Sequence, residues 1–599
     1  MVAATGIALT SLRVLLPLIY GLYERGGVGP AAGLAGPVFA APVLAAAIPR
    51  RRSGLATVVG IAAAGRLAIQ LVHPTPVSLA AVVAGVALVA LVSAVERSPG
   101  PVATGLAMGV ALDVAVLTVF GTWDPAWQEG AAALVVAMAW GAIALIGSVL
   151  RANSPSADDL SRPTWVLGPA LLLWIVFLAN PASIAATAGI GPAAAAGATL
   201  AGCAALVATA SLQVEHRAVW TVAAVVTVAA AMLTDLTGWA VVPLVAVAQA
   251  GCGLALSLCL RTPRTGGGPG DGVGAALGML AFAAIAFAYQ LDVEQPLPFP
   301  RWLLPAAAGG LLSVGALRGA RDGKEGASRR ARPRGPVAVG VTATIAVVIP
   351  FVLPVGEPAA VTRGANPTVR ILDWNVHGAV DADGRVDPAA LAATIAAQEP
   401  DVVVLQEVAR GWPIHGELDL AAWLSHALGM PYRWAPAADD RFGNVVLSRL
   451  PIVGWEAVPL PYAGGPQHRS FVRLTLDAGG GRTLTVIGTH LQQRAGSDVG
   501  SIQAGRLVSG SHAGHATVIA GDLNAQPGDA ALTVLTDAGL VSAQDAAGDP
   551  GATTARDPTT PGDRVDWIFV SPELRVEAFE VVASDASDHL PLVAVVHLP

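Results

Sequence analysis

Six short stretches in the C-terminal half place acids, amides and histidines at the ends of apolar runs. They are Trp374-Asn375, Gln406-Glu407, Thr489-His490, Gly521-Asp522-Leu523-Asn524, Asp566 and Ser587-Asp588-His589. Carboxylates combined with amide oxygens suit a hard cation such as Mg²⁺. Two histidines near such a cation could stabilise a phosphoryl transition state, and an aspartate beside one of them would fix its tautomer and favour its protonated form. Asp522 and Asn524 are two residues apart, so in an extended chain they share a face.

Runs of about six apolar residues, alternating with polar turns and helical stretches, must position these groups, a pattern that reads as α/β. Expected strands are 369–374, 401–405, 444–448, 471–476, 483–488, 517–520, 565–570 and 592–597, with helices at 388–398 and 421–428. In such a fold the strand ends converge on one crevice, the usual place for a site.

Seven segments in order resemble the endonuclease/exonuclease/phosphatase superfamily, the DNase I-like hydrolases. They are Ile371-Leu372-Asp373-Trp374-Asn375-Val376, Asp401 to Glu407, Gly443 to Arg449, Gly488 to Leu491, Ala520 to Asn524, Arg564 to Phe569 and Ser587 to Pro591. The resemblance implies a four-layer sandwich, two β-sheets between helices. It also implies that Glu407 binds Mg²⁺ or Mn²⁺, with Asn375 and Asp588 close to the metal and phosphate. By the same carry-over, Asp522 would orient or deprotonate the attacking water, and Asn524 would hold it or the phosphate. His490 and His589, the latter oriented by Asp566, would stabilise the charged phosphorus centre, and Arg469 is a loosely matched phosphate contact. The tyrosine that some members use has no clear counterpart.

The N-terminal half is of another kind. Hydrophobic residues make up 54% of the 599-residue chain and charged residues 13%, with a mean hydropathy of +0.61, which excludes a purely soluble protein. Thirteen apolar runs between residues 3 and 355, short ones at 164–180 and 302–317 among them, approach the roughly 20 residues a spanning helix needs. The expected division is a polytopic domain at 1–357, a linker at 358–366 and a hydrolase domain at 367–599. Alternate loops hold sixteen basic residues, against Arg25, Arg301 and Arg363 on the other side. The positive-inside rule then puts the N-terminus in the cytoplasm and the hydrolase domain outside the plasma membrane. Arg13, Arg66, Asp113 and Asp235 fall within the runs and should face the bundle interior, as a head-group site or as structural Arg–Asp contacts.

From Ala365 onward there are 14 Arg, no Lys and 27 Asp and Glu, a net charge of −13. That lacks the basic stripe by which nucleic-acid binders displace counterions. The expected function is a Mg²⁺-dependent phosphoesterase acting on a phosphodiester or pyrophosphate in a membrane lipid or lipid-linked substrate. The alternatives are an extracytoplasmic nuclease, or a transporter or lipid receptor with an auxiliary hydrolase. The fused architecture resembles eukaryotic GPI-anchor lipid-remodelling proteins and bacterial membrane-anchored hydrolases linked to teicoplanin resistance.

Overall fold

The computed structural model describes residues 1–48, 52–98, 101–152, 160–212, 219–233, 236–260, 264–265, 270–294, 296–322, 358–360, 367–381, 383–462, 466–492, 498–510, 516–548, 551–556 and 562–599. The chain forms two compact units, one holding Met1–Asp292 and Gly411–Leu418, the other holding Gly356–Arg410 and Asp419–Pro599.

Alanine, valine and leucine leave the N-terminal helices without a polar face, as burial in lipid or in other helices requires. Nine helices among the described residues are long and apolar enough to cross a membrane, from Val2–Gly26 to Gly272–Val293. They make this a multi-pass membrane unit. The expected run at 164–180 is instead the first arm of a broken span, Thr164–Leu178, bent by 50° from Pro181–Ala188. The cause is local: Pro181 has no N–H and disfavours helix at the residue before it. Asn180 caps the new helix by accepting a bond from the Ser183 N–H at 2.9 Å. Val219–Ala231 and Leu303–Gly319 are shorter apolar helices. The expected run at 336–355, most of the linker at 358–366 and Asp235 lie outside the described residues. Small residues let helices touch: a Cβ added to Gly253 would meet the Leu206 carbonyl oxygen at 2.5 Å. Arg13 and Asp113 are buried and paired, Nη2 to Oδ2 at 2.7 Å.

The second unit contains two six-stranded sheets. Its strands are β1 (Thr368–Asn375), β2 (Val402–Ala409), β3 (Tyr432–Asp439), β4 (Phe442–Ser448), β5 (Ile452–Pro459), β6 (Ser470–Gly479), β7 (Arg482–His490), β8 (Thr517–Asp522), β9 (Val541–Ser542), β10 (Asp566–Val570), β11 (Arg575–Val581) and β12 (Leu592–His597). One sheet runs β11-β12-β1-β2-β4-β3 and the other β9-β10-β8-β7-β6-β5. Neighbouring strands are antiparallel except for β1 with β2 and β7 with β8. The facing sides form one core, including Ile371, Val404, Val446, Val472, Val486, Val518 and Ile568. At Gly488 the sheets approach so closely that a Cβ would lie 2.7 Å from Val446 and 2.8 Å from Val404, side chains of the other sheet. The outer side of the second sheet packs Ile487, Ile519 and Phe569 against Leu507 and Leu535, which come from helices Val499–Gly510 and Ala530–Asp537. Helix Leu420–Leu428 lies on β2 and β3 of the other sheet. This is the expected α/β sandwich of two sheets between helices.

Candidate active site

The two parallel pairs align the chemistry. Across β1 and β2, Asn375 lies opposite Gln406, one residue before Glu407. In the second sheet Asp522 lies opposite His490 on β7 and Asp566 on β10. His589 precedes β12, and its backbone carbonyl accepts a bond from the Trp374 indole N–H at 2.9 Å.

Asp522 is held on both oxygens: Oδ1 accepts from the Asn524 N–H at 2.9 Å and Oδ2 from the Asn375 side-chain amide at 3.1 Å. The shared side of Asp522 and Asn524 does not come from an extended chain, as expected from sequence. Asn524 has φ 47°, so the backbone turns left-handed just past β8. That turn sets its amide 2.9 Å from His490 Nε2, while the same amide donates to the Leu491 carbonyl at 3.0 Å. Gly521 precedes it at φ 151°, and a Cβ there would lie 1.9 Å from the Thr489 carbonyl oxygen. Only glycine fits.

The two histidines divide into different charge states. Burial would lower the pKa of His589, but Asp566, with Asp522 and Asp588 behind it, outweighs that and raises it well above the ordinary value. The ring is an imidazolium whose Nδ1–H donates to Asp566 Oδ2 at 2.8 Å, with Nε2 3.9 Å from Asp522 Oδ2. Burial, then the positive charges of Arg469 and His589, push His490 well below its ordinary value. Arg469 Nη1 donates to His490 Nδ1 at 3.0 Å. His490 Nε2, on the other side of the ring, lies 3.3 Å from Asp522 Oδ2. Burial, together with Asp566, lifts the Asp522 carboxyl to about 7 against the pull of His589.

Glu407 reaches His490, Oε1 to Nδ1 at 3.9 Å, through a β-bulge. The register of β2 against β4 slips between Leu405 and Val408, and Glu407 sits in the slip with φ 55°. Bulges re-aim side chains in this way, and a left-handed non-glycine residue stores strain. Burial and the neighbouring charge of Asp588 raise the Glu407 pKa, with His377 opposing them. Asp588 goes the other way. Burial pushes it up, but His377, His589 and the Ser587 hydroxyl at 3.2 Å hold it below the usual carboxylate range.

The segment 374–589 matches the model of the Endonuclease/Exonuclease/phosphatase family. Among solved structures, an endonuclease/exonuclease/phosphatase from Beutenbergia cavernae is 31% identical over 39% of this chain and 72% of its own, with a TM-score of 0.34. The chain belongs to the endonuclease/exonuclease/phosphatase family. The human nocturnin catalytic domain with bound sulfate is 20% identical over 40% of this chain and 96% of its own, TM-score 0.32. A mannosyl-6-phosphatase from Bacteroides thetaiotaomicron is 17% identical over 38% and 99%, TM-score 0.32. No curated protein matches the chain.

As an endonuclease/exonuclease/phosphatase, the protein is a phosphoester-hydrolysing enzyme, and the family generally depends on a divalent metal. Two sets of residues could answer to that metal. Ligand atoms of Asp522, Asp566 and His589 lie within 4.8 Å of one another, but His589 carries its proton toward Asp566, and an imidazolium has no lone pair to give. Glu407 and Asp588 are the second set: burial and the charge of Asp588 raise the Glu407 pKa, and a cation near them would offset that repulsion. The expected residues His490, Asp522, Asn524, Asp566, His589, Arg469 and Asn375 are joined by the bonds given above. Sequence reasoning passed over His377, whose charge acts on both Glu407 and Asp588. It also passed over Asp373, a buried acid that accepts from the Gln406 amide at 2.8 Å. The signal was present, since both flank Asn375 in the motif Asp373-Trp374-Asn375-Val376-His377.

Proposed function

We propose that this endonuclease/exonuclease/phosphatase is a Mg²⁺-dependent membrane phosphoesterase that hydrolyses a phosphodiester or pyrophosphate bond in a lipid-linked substrate at the outer face of the plasma membrane. One observation carries the reading: a phosphoester-hydrolysing domain occurs in the same chain as nine helices, among the described residues, long and apolar enough to cross a membrane. The domain's net charge of −13 and lack of lysine weigh against nucleic acid as the usual substrate. The excess of basic residues in alternate loops supports the outward position.

Glu407 and Asp588, with Asn375 beside them, would hold Mg²⁺, whose chemistry there is Lewis-acid withdrawal of charge from a phosphoryl oxygen. The side chains do the rest. Asp522, clamped by Asn375 and Asn524, takes a proton from water as the water oxygen bonds to phosphorus and the ester or anhydride P–O bond breaks. A base with a pKa of about 7 is matched to neutral pH. The neutral His490 stands beside Asp522 and Asn524, while the His589 imidazolium and Arg469 bring positive charge to the phosphoryl oxygens.

The test uses full-length protein in detergent with Mg²⁺, offered extracted membrane phospholipids and, separately, plasmid DNA, beside an Asp522→Ala control. Lipid cleavage that disappears in the control is expected. Efficient cutting of DNA with no lipid turnover would favour an extracytoplasmic nuclease and leave the lipid reading without support.

A further inference from the structure

The compact helical unit includes a short segment from far along the chain, Gly411–Leu418. The segment is a closed loop: the Gly411 N–H donates to the Leu418 carbonyl at 2.8 Å and the Glu417 N–H to the Trp412 carbonyl at 3.0 Å. Its base is pinned where the broken span turns. Asn180 donates from Nδ2 to the Gly411 carbonyl at 2.7 Å, and Gly411, at φ 92°, lies so close that a Cβ would meet Asn180 Oδ1 at 2.9 Å. Farther out, His415 lies edge-on to Tyr20, ring centroids 5.8 Å apart, and stacks on Trp412.

The loop carries an acid into the unit. Glu417 is 1% exposed, and its φ of 61° is a left-handed backbone that persists only while the surroundings fix it. Its Oε1 lies 3.3 Å from Arg13 Nε, yet neither oxygen accepts a hydrogen bond of ordinary geometry. The guanidinium turns its better contacts elsewhere, to Asp113, Nη2 to Oδ2 at 2.7 Å, and to Asp124 through Nη1. Arg66 is the other cation that feels these two acids. Two positive charges therefore face three carboxylates, and the third carboxylate is the one without donors. A carboxylate buried in that way is costly, and taking up a proton is the usual escape. Burial lifts the Glu417 carboxyl to about 8 against the pull of Arg13, with Asp113 and Asp124 adding to the rise.

We propose that Glu417 is a proton-operated latch: as a neutral acid it holds Gly411–Leu418 in the helical unit, and when it gives its proton to solvent the new buried charge weakens that hold. A released segment would keep the proton only near the ordinary glutamate value. The hold is therefore firmest in acid, weakens as pH rises, and has lost its proton-linked share above about 8.

The experiment compares full-length wild type with Glu417→Gln, which cannot titrate, in detergent. His415 and the other charged groups are common to both proteins, so the comparison isolates Glu417. Infrared difference spectra read the carbonyl stretch of protonated carboxyl groups. Wild type should show a band that Glu417→Gln lacks and that fades with a midpoint near 8. Limited proteolysis with a broad-specificity protease, its cuts mapped by mass spectrometry, reads release of Gly411–Leu418. Cutting within the segment, wild type relative to Glu417→Gln at each pH, should rise at least tenfold between about pH 6 and pH 9. The protease's own pH dependence cancels in that ratio. A Glu417 band with a flat ratio overturns the latch, and the lack of such a band at about pH 6 overturns the proton as well. Should Glu417→Gln fail to fold, wild type decides alone: cutting within the segment, relative to the exposed turn at Pro572 and Glu573, must rise over the same interval, and a constant ratio counts against the proposal.

Discussion

At the scale of single residues, the site separates its proton carriers. In the proposed mechanism Asp522, raised to about 7, acts as a carboxylate, so turnover should fall as pH drops through that value. His589 acts as an imidazolium with a raised pKa, so activity persists above the ordinary histidine range and is lost only as pH climbs through the raised value. Asp566→Asn removes the principal raising charge and should draw the alkaline limb of the kcat profile downward while moving the acid limb less; an alkaline limb that does not move would remove His589 from its assigned role. Gly521→Ala forces a Cβ into the Thr489 carbonyl at a backbone angle alanine rarely adopts. It should destabilise the fold by more than about 1 kcal/mol, measured as a lowered midpoint of denaturant unfolding of the hydrolase unit. A midpoint unchanged from wild type would show that the backbone can relax there.

At the scale of elements, the reading of the sequence succeeded and failed along a physical line. The eight strands expected from sequence are all present. The four that were missed, β3, β5, β9 and β11, are the four sheet edges. Central strands are covered on both faces and read as continuous apolar runs. Edge strands need no such run: β11, Arg-Val-Glu-Ala-Phe-Glu-Val, alternates charge with apolar residues, and β5 exposes Val453 and Trp455. The candidate residues were legible as motifs because they lie in short segments at central strand ends. The bulge at Glu407 and the turn at Asn524 were not, since a backbone angle leaves no mark in residue type when the residue is not glycine. A second element-scale feature is the neck between Arg410 and Asp419, closed by a bidentate pair with both bonds at 2.9 Å. Asp419 also caps helix Leu420–Leu428 by accepting from the Ala422 N–H at 3.2 Å. Asp419→Ala should cost about 3–5 kcal/mol, because it strands a buried arginine. The double change Arg410→Met with Asp419→Ala should recover part of that loss, and chemical denaturation of both proteins checks the difference.

At the scale of the whole molecule, the three cysteines, Cys203, Cys252 and Cys259, are all buried and free, which gives a quiet background for mapping sidedness. Glu573→Cys, on an exposed turn of the hydrolase unit, should react with a membrane-impermeant maleimide in intact cells if that unit faces outward. Labelling only after permeabilisation would place the hydrolase in the cytoplasm. The left-handed Glu407 reaches beyond the crevice. Its backbone angle and its crowding by Asp588 are both relieved by Glu407→Gly, which should melt later than wild type in chelator, by about 1 kcal/mol of stability, and hydrolyse nothing. The most robust form of this fold is then an inert one, and a screen for thermal tolerance alone would select against the residue proposed to hold its metal.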